Sequence, residues 1–186
     1  YLTGAVEEKI DLENNYFGEG VTVLKNKIYQ LTWQEKTVFV YDATTFKLEK
    51  SFPYFKEIEG WGLTNDGTNL YMSDGSEKIY IVNPETFEMI DYISVYTNSN
   101  KIEAINELEW IDGKIWANLY ERDTVIKIDP KTGAIENILN LSDLKTKVTK
   151  PLQSGEVLNG IAHNPKNNTI LVTGKNWDKA FEIVIE

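Results

Sequence analysis

An all-β fold built from propeller blades is what the sequence predicts, on three observations. Short alternating strands dominate the chain, among them "KTVFVYD", "EKIYIVN", "TVIKID" and "KAFEIVI". Three of them run into related turns, "YDATTFKLEKSF", "VNPETFEMIDYI" and "IDPKTGAIENIL", whose threonines Thr44, Thr86 and Thr132 stand 42 and 46 residues apart. No run of helical periodicity competes. A period in the low forties, filled by about four strands, is that of a propeller blade.

The units can be followed in order along the chain. First strands are "FGEGVTVL", "EGWGLTN", "INELEWI" and "VLNGIAHN", and each is followed by a second strand, "KIYQLTW", "NLYMSDG", "KIWANLY" or "TILVTGK". Asn, Asp, Pro and Gly between strands suit tight antiparallel turns. The polar insert "SDLKTKVTKPLQSGE" reads as a loop with a helical turn. At the N-terminus "YLTGAVEEKIDL" matches the tail of a unit: Thr3 precedes Thr44 by 41 residues, and "AVEEKIDL" reads as a fourth strand. The last unit, "LNGIAHN" to "FEIVIE", supplies three strands. The expectation is one domain over residues 1–186 that begins in mid-blade and carries about four blades' worth of strands. Either the N-terminal strand completes the last blade or a further blade lies upstream, because an open ring would expose strand edges.

Composition narrows the function classes. With 29 acidic against 19 basic residues the net charge is −10, and the basic residues are scattered, which argues against a nucleic-acid partner. No apolar run reaches the ~18 residues of a membrane span. There is no cysteine and a single histidine, His163, so thiolate chemistry, Cys-ligated zinc and multi-His metal sites are excluded. "GEGVTV" lacks the third glycine and the helix of a dinucleotide loop, and no G-x-S-x-G elbow occurs.

Polar residues recur where strands of successive units should meet the propeller axis. The first strands place Glu19, Glu59, Asn106 and Asn159 at similar positions, and the second-strand ends contribute Trp33, Asp74, Asn118 and Lys175. Glu19 stands between two glycines at a strand mouth, where a charge gains nothing from entering a core. A role at the axis explains it. Asn118 and Asn159 are read equally as channel ligands or as strand-end caps. Trp110, Trp116 and Trp177 are read as core, Asp66 and Asp74 as turn formers, and His163, beside "NPKNN", as a surface turn residue.

The blocks "YFGEGVTVLKNKIYQLTW", "EGWGLTNDGTNLYMSDGS", "NELEWIDGKIWAN", "DPKTG" and "VLNGIAHNPKNNTILVTGKNWDKAFEI" together resemble the plant and bacterial type of glutaminyl-peptide cyclotransferase, across nearly the whole chain and in order. The resemblance implies a five-bladed β-propeller that converts an N-terminal glutamine to pyroglutamate and releases ammonia, with no metal or organic cofactor. It implies peptides or proteins with N-terminal Gln as partners, a monomer, and a secreted or periplasmic setting. By motif, the resemblance makes Glu19 of F-G-E-G the proton-transfer residue, and it implies that Asn106 of N-E-L-E and Lys175 of T-G-K-x-W hold the substrate amide. Phe17, Trp33 and Trp61 are pocket walls, Tyr120 stands where many members carry Trp, and Asn159 is a further candidate substrate contact. The family's F-T-Q-G-L motif, from its first blade, has no counterpart in this chain.

Two other functions are compatible with the same residues. A calcium-dependent hydrolase or lactonase propeller would use Glu19, Asn106 and Asn159 as oxygen ligands. A non-catalytic propeller would keep the pocket only to bind peptides.

Overall fold

The computed structural model of the chain describes residues 5, 6, 8–98 and 100–184. Four antiparallel sheets follow one another along it. The first contains β1 (Gly18–Leu24), β2 (Lys27–Thr32), β3 (Thr37–Asp42) and β4 (Leu48–Pro53). The second contains β5 (Leu63–Asn65), β6 (Leu70–Ser73), β7 (Lys78–Val82) and β8 (Met89–Ser94). A short hairpin follows, β9 (Tyr96–Thr97) and β10 (Asn100–Lys101), which the sequence reading did not foresee. The third sheet contains β11 (Ile105–Ile111), β12 (Lys114–Leu119), β13 (Thr124–Ile128) and β14 (Ile135–Asn140). The last contains β15 (Leu158–Asn164), β16 (Thr169–Gly174) and β17 (Phe181–Ile183). Each sheet keeps sequence order, and β1, β5, β11 and β15 neighbour one another in turn, as the inner strands of propeller blades do. The polar insert forms loops around one 3-10 turn, Leu144–Lys147, as expected.

Burial explains why the alternating pattern folds this way. The core is a series of slabs between successive blades: Leu31, Val38 and Val40 of the first meet Leu70, Met72 and Val82 of the second. Ile79 and Ile93 meet Ile105, Ile115 and Ile126, and Trp116 and Val125 meet Leu158, Ile170 and Val172. Middle strands are covered on both faces, so Ile115 to Leu119 are buried without a break. Outermost strands are covered on one, leaving Leu48, Ile90 and Ile138 exposed. Each fully buried Val, Leu or Ile contributes about 1.5–3 kcal/mol to the fold.

The repeated turn has one geometry. Asp42 Oδ1 accepts the N–H groups of Thr44 (3.0 Å) and Thr45 (2.7 Å). Asn83 Oδ1 does the same for Glu85 and Thr86, and Asp129 Oδ1 for Lys131 and Thr132. The structural counterpart of Thr86 and Thr132 is therefore Thr45, one residue after the threonine that the sequence spacing singled out.

Polar ties then join neighbouring blades along their inner strands. Asn65 Nδ2 donates to Thr22 Oγ1 (2.8 Å), Trp110 N–H to Thr64 Oγ1 (3.0 Å), and His163 N–H to Glu109 Oε1 (2.8 Å). His163 thus lies in β15 and not in a surface turn. The N-terminal expectation is corrected as well. Residues 5, 6 and 8–12 form no strand, and Thr3 lies outside the described residues. Instead Leu12 packs against Gly18, and Tyr16 meets Phe39 edge-on at 4.9 Å, over the first sheet.

The tightest feature is the approach of inner strands to one another. Gly20 lies so close to the second blade that a Cβ would stand 2.5 Å from Leu63 N and 2.7 Å from Trp61 O. At Gly62 a Cβ would collide with the Asn106 carbonyl of the third blade. Backbone cannot swing aside as a side chain can. We expect Gly62→Ala to lower unfolding stability by about 3 kcal/mol or more, against about 1 kcal/mol for Gly113→Ala, where only the positive φ is unfavourable. Urea denaturation of the two variants measures this, and equal losses would contradict it.

Candidate active site

Strand pairing sends the start of each inner strand and the end of the second strand to the same mouth of the channel. Gly18 pairs with Thr32, Ile105 with Leu119, and Leu158 with Gly174. In all three ladders the register slips just inside, between Gly18 and Val21, Ile105 and Leu108, and Leu158 and Ile161. The slipped pairs are Glu19–Gly20, Asn106–Glu107 and Asn159–Gly160. In the second blade Trp61–Gly62 occupies the same place, just before β5. A bulge re-aims side chains. Here it presents Glu19, Trp61, Asn106 and Asn159 at equivalent positions.

This register corrects two readings. Glu59 is not the counterpart of Glu19; Trp61 is. Beyond the second strands, Trp33, Tyr120 and Lys175 are equivalent, their N–H groups donating to the carbonyls of Phe17, Ala104 and Val157. The counterpart in the second blade is Gly75, so Asp74 and Asn118 lie one and two residues short of that position. Gly75 is bare for a reason: a Cβ there would stand 2.7 Å from the Trp61 ring, which fills the space.

Seven predicted residues converge. Phe17, Glu19, Trp33, Trp61, Asn106, Tyr120 and Lys175 line one pocket of about 190 Å³. Phe17 and Trp33 meet edge-on at 6.1 Å and Trp61 and Tyr120 at 5.5 Å, while Lys175 Nζ lies 5.1 Å from the Tyr120 ring centre. Asn159 does not line this pocket; its Oδ1 is buried with no hydrogen-bond partner. Asn118 is buried too, and its Oδ1 accepts the Gly160 N–H (3.1 Å), tying the last two blades together. Asp66 and Asp74 cap their own turns, and Trp110, Trp116 and Trp177 pack within or against the core clusters.

The pocket's electrostatics are unusual for so acidic a surface. Burial pushes the Glu19 carboxyl up to about 6, against the pull of Lys175, and Glu59 and Glu35 add to the rise. Among the described residues no donor reaches its carboxylate. Asn106 is buried, and its Oδ1 also lacks a partner. An orphaned buried acceptor costs about 1–3 kcal/mol unless something fills it. The mouth thus holds a carboxyl raised to about 6, a lysine amine and an unfilled amide, walled by aromatic rings.

Sequence reasoning missed Glu107. It stands at the bulge position that is glycine in the other three blades, and aligning those blades by their bulges would have exposed it. Burial, and then Glu19, push its carboxyl up to about 7. A second depression of about 190 Å³, between the third and fourth blades, is lined by Lys114, Trp116, Lys127 and His163. Its lysines are engaged by Asp129 and Glu136, so it offers a ligand little.

Comparisons with known proteins bear on the family and the fold. Residues 1–185 match the family described as glutamine cyclotransferase. The chain is 36% identical over 185 residues to the glutaminyl-peptide cyclotransferase of Arabidopsis thaliana, covering 99% of this chain and 58% of that protein. The chain therefore spans somewhat over half the length of its curated relative. Against the crystal structure of Myxococcus xanthus glutaminyl cyclase the TM-score is 0.86 at 34% identity, over 92% of this chain and 73% of that one. A WD40 β-propeller domain of Doa1 is similar in fold alone, with a TM-score of 0.56 at 14% identity over 89% of this chain and 49% of that one. On the match over residues 1–185 and the shared fold, the chain belongs to the glutamine cyclotransferase family.

Proposed function

We propose that this chain carries the active site of a glutaminyl-peptide cyclotransferase, which closes an N-terminal glutamine to pyroglutamate. The observation that carries the reading is the convergence of Glu19, Asn106 and Lys175 in one aromatic-walled pocket, within a member of this family.

The reaction asks for little beyond positioning and proton management. The α-amine nitrogen attacks the side-chain amide carbon of its own residue, forming the ring C–N bond. The C–N bond to the amide nitrogen then breaks, and ammonia leaves. Because both groups belong to one residue, selecting the folded-back conformer supplies much of the acceleration. The aromatic walls do this by excluding extended conformers and water. Glu19 accepts the proton from the attacking nitrogen and returns it to the departing one. Lys175 stabilises the oxyanion formed at the amide oxygen. Asn106 Oδ1 accepts from the amide N–H group, which fills its vacant hydrogen bond.

Two outcomes are expected. A Gln-initiated dipeptide should release ammonia, and Glu19→Gln should lower kcat about a thousandfold with the fold retained. Absence of ammonia from every Gln-peptide tried would end the proposal. The second concerns pH. Glu19 must be ionised to accept a proton, so kcat/KM should fall on acidification through about pH 6, well above the ordinary carboxylate range. Lys175 holds that value down, so Lys175→Met should move the acid limb to higher pH and lower kcat about a hundredfold. A limb that stays in place or moves to lower pH would contradict the assignment.

A further inference from the structure

Glu59 does not line the pocket, yet it touches two of its walls. Its Oε2 accepts the indole Nε1–H of Trp33 at 2.7 Å and that of Trp61 at 3.0 Å. Its Oε1 accepts Gln34 Nε2 at 3.1 Å. One carboxylate thus bridges an aromatic wall of the first blade and one of the second.

The two rings differ in how firmly they are otherwise held. Trp61 fills the space over Gly75 and is half-buried, with Tyr120 against it. Trp33 is 38% exposed, and its aromatic neighbour Phe17 is 57% exposed, so packing alone leaves this side of the pocket loosely restrained. The Gly60 N–H, next to Glu59, also donates to the Trp33 carbonyl at 3.1 Å, fixing the backbone beneath the ring.

We infer that Glu59 is a positioning residue: its carboxylate ties the loosely packed Trp33 ring to the seated Trp61 ring and so sets the width of the slot that receives the substrate's glutamine side chain. The slot's occupant rests on the cyclotransferase reading; the tie between the rings does not. Two charge-assisted bonds to one acceptor are stronger than neutral ones and fix direction as well as distance. The same bonds, that of Trp61 first, hold the Glu59 carboxyl below the usual carboxylate range, so it remains an anion where Glu19 titrates. Glu59 acts through the indoles, and its loss should register in substrate binding more than in turnover.

The test uses the full chain with Glu59→Ala and Glu59→Gln. Glutamine keeps an acceptor oxygen for both indoles, and Gln34 can turn its own amide oxygen toward the new N–H2 group. In nitrogen–proton spectra, the indole peaks of Trp33 and Trp61 should shift together in Glu59→Ala and stay near wild type in Glu59→Gln. Trp110, Trp116 and Trp177 report that the fold is intact. With a Gln-dipeptide, Glu59→Ala should raise KM about tenfold, the cost of ordering two freed side chains, with a smaller loss in kcat, and Glu59→Gln should restore both. Unmoved indole peaks in Glu59→Ala, or a kcat loss that Glu59→Gln does not rescue, would overturn the inference. Coupled indole shifts in a chain that releases no ammonia would support the tie and remove the cyclotransferase reading.

Discussion

Contact of main chain with main chain, where the inner strands crowd the axis, is the constraint on which the rest depends. Gly20 lies against Trp61 to Leu63, and Gly62 lies against Asn106 and Glu107. A Cβ at either position would hold neighbouring blades apart. Because the strands touch there, the bulges beside them converge, and Glu19 and Asn106 reach one small volume although they stand on sheets separated by a complete blade. The apolar slabs between blades provide the driving force for assembly, but they fix spacing only to the width of a side chain. Backbone contact sets the site more finely.

The same crowding shapes the site's electrostatics. A carboxylate on a bulge at a narrow mouth loses water without gaining a donor, and its proton affinity rises. Glu19 shows this against the pull of Lys175. Glu59, on the strand connection behind the rings, meets three donors and moves the other way. Two acids near one pocket are thus separated in protonation behaviour by what their oxygens touch, which allows one to exchange protons while the other stays a fixed anion.

Much of this was legible in the sequence. Alternation marked strands such as "KTVFVYD" and "EKIYIVN" because each blade buries one face in each slab, and the family blocks contain six of the seven pocket residues, with Tyr120 just beyond the third. What the sequence hid was register. The pair Glu59–Gly60 repeats Glu19–Gly20, so residue type sets Glu59 in line with Glu19, where the strand register puts Trp61. Residue type likewise sets Asp74 and Asn118 beside Lys175, where the register puts Gly75 and Tyr120. "AVEEKIDL" has the composition of a strand, but pairing is a property of neighbours, and the described part of that segment forms no strand. The partner of His163, Glu109, comes from another blade, which no local pattern discloses.

The most direct measurement is a crystal structure of Glu19→Gln soaked with a Gln-initiated dipeptide. The glutamine side chain should lie between Trp33 and Trp61, its amide oxygen about 3 Å from Lys175 Nζ and its amide nitrogen about 3 Å from Asn106 Oδ1. A dipeptide bound elsewhere on the propeller, with this pocket filled only by water, would contradict that placement.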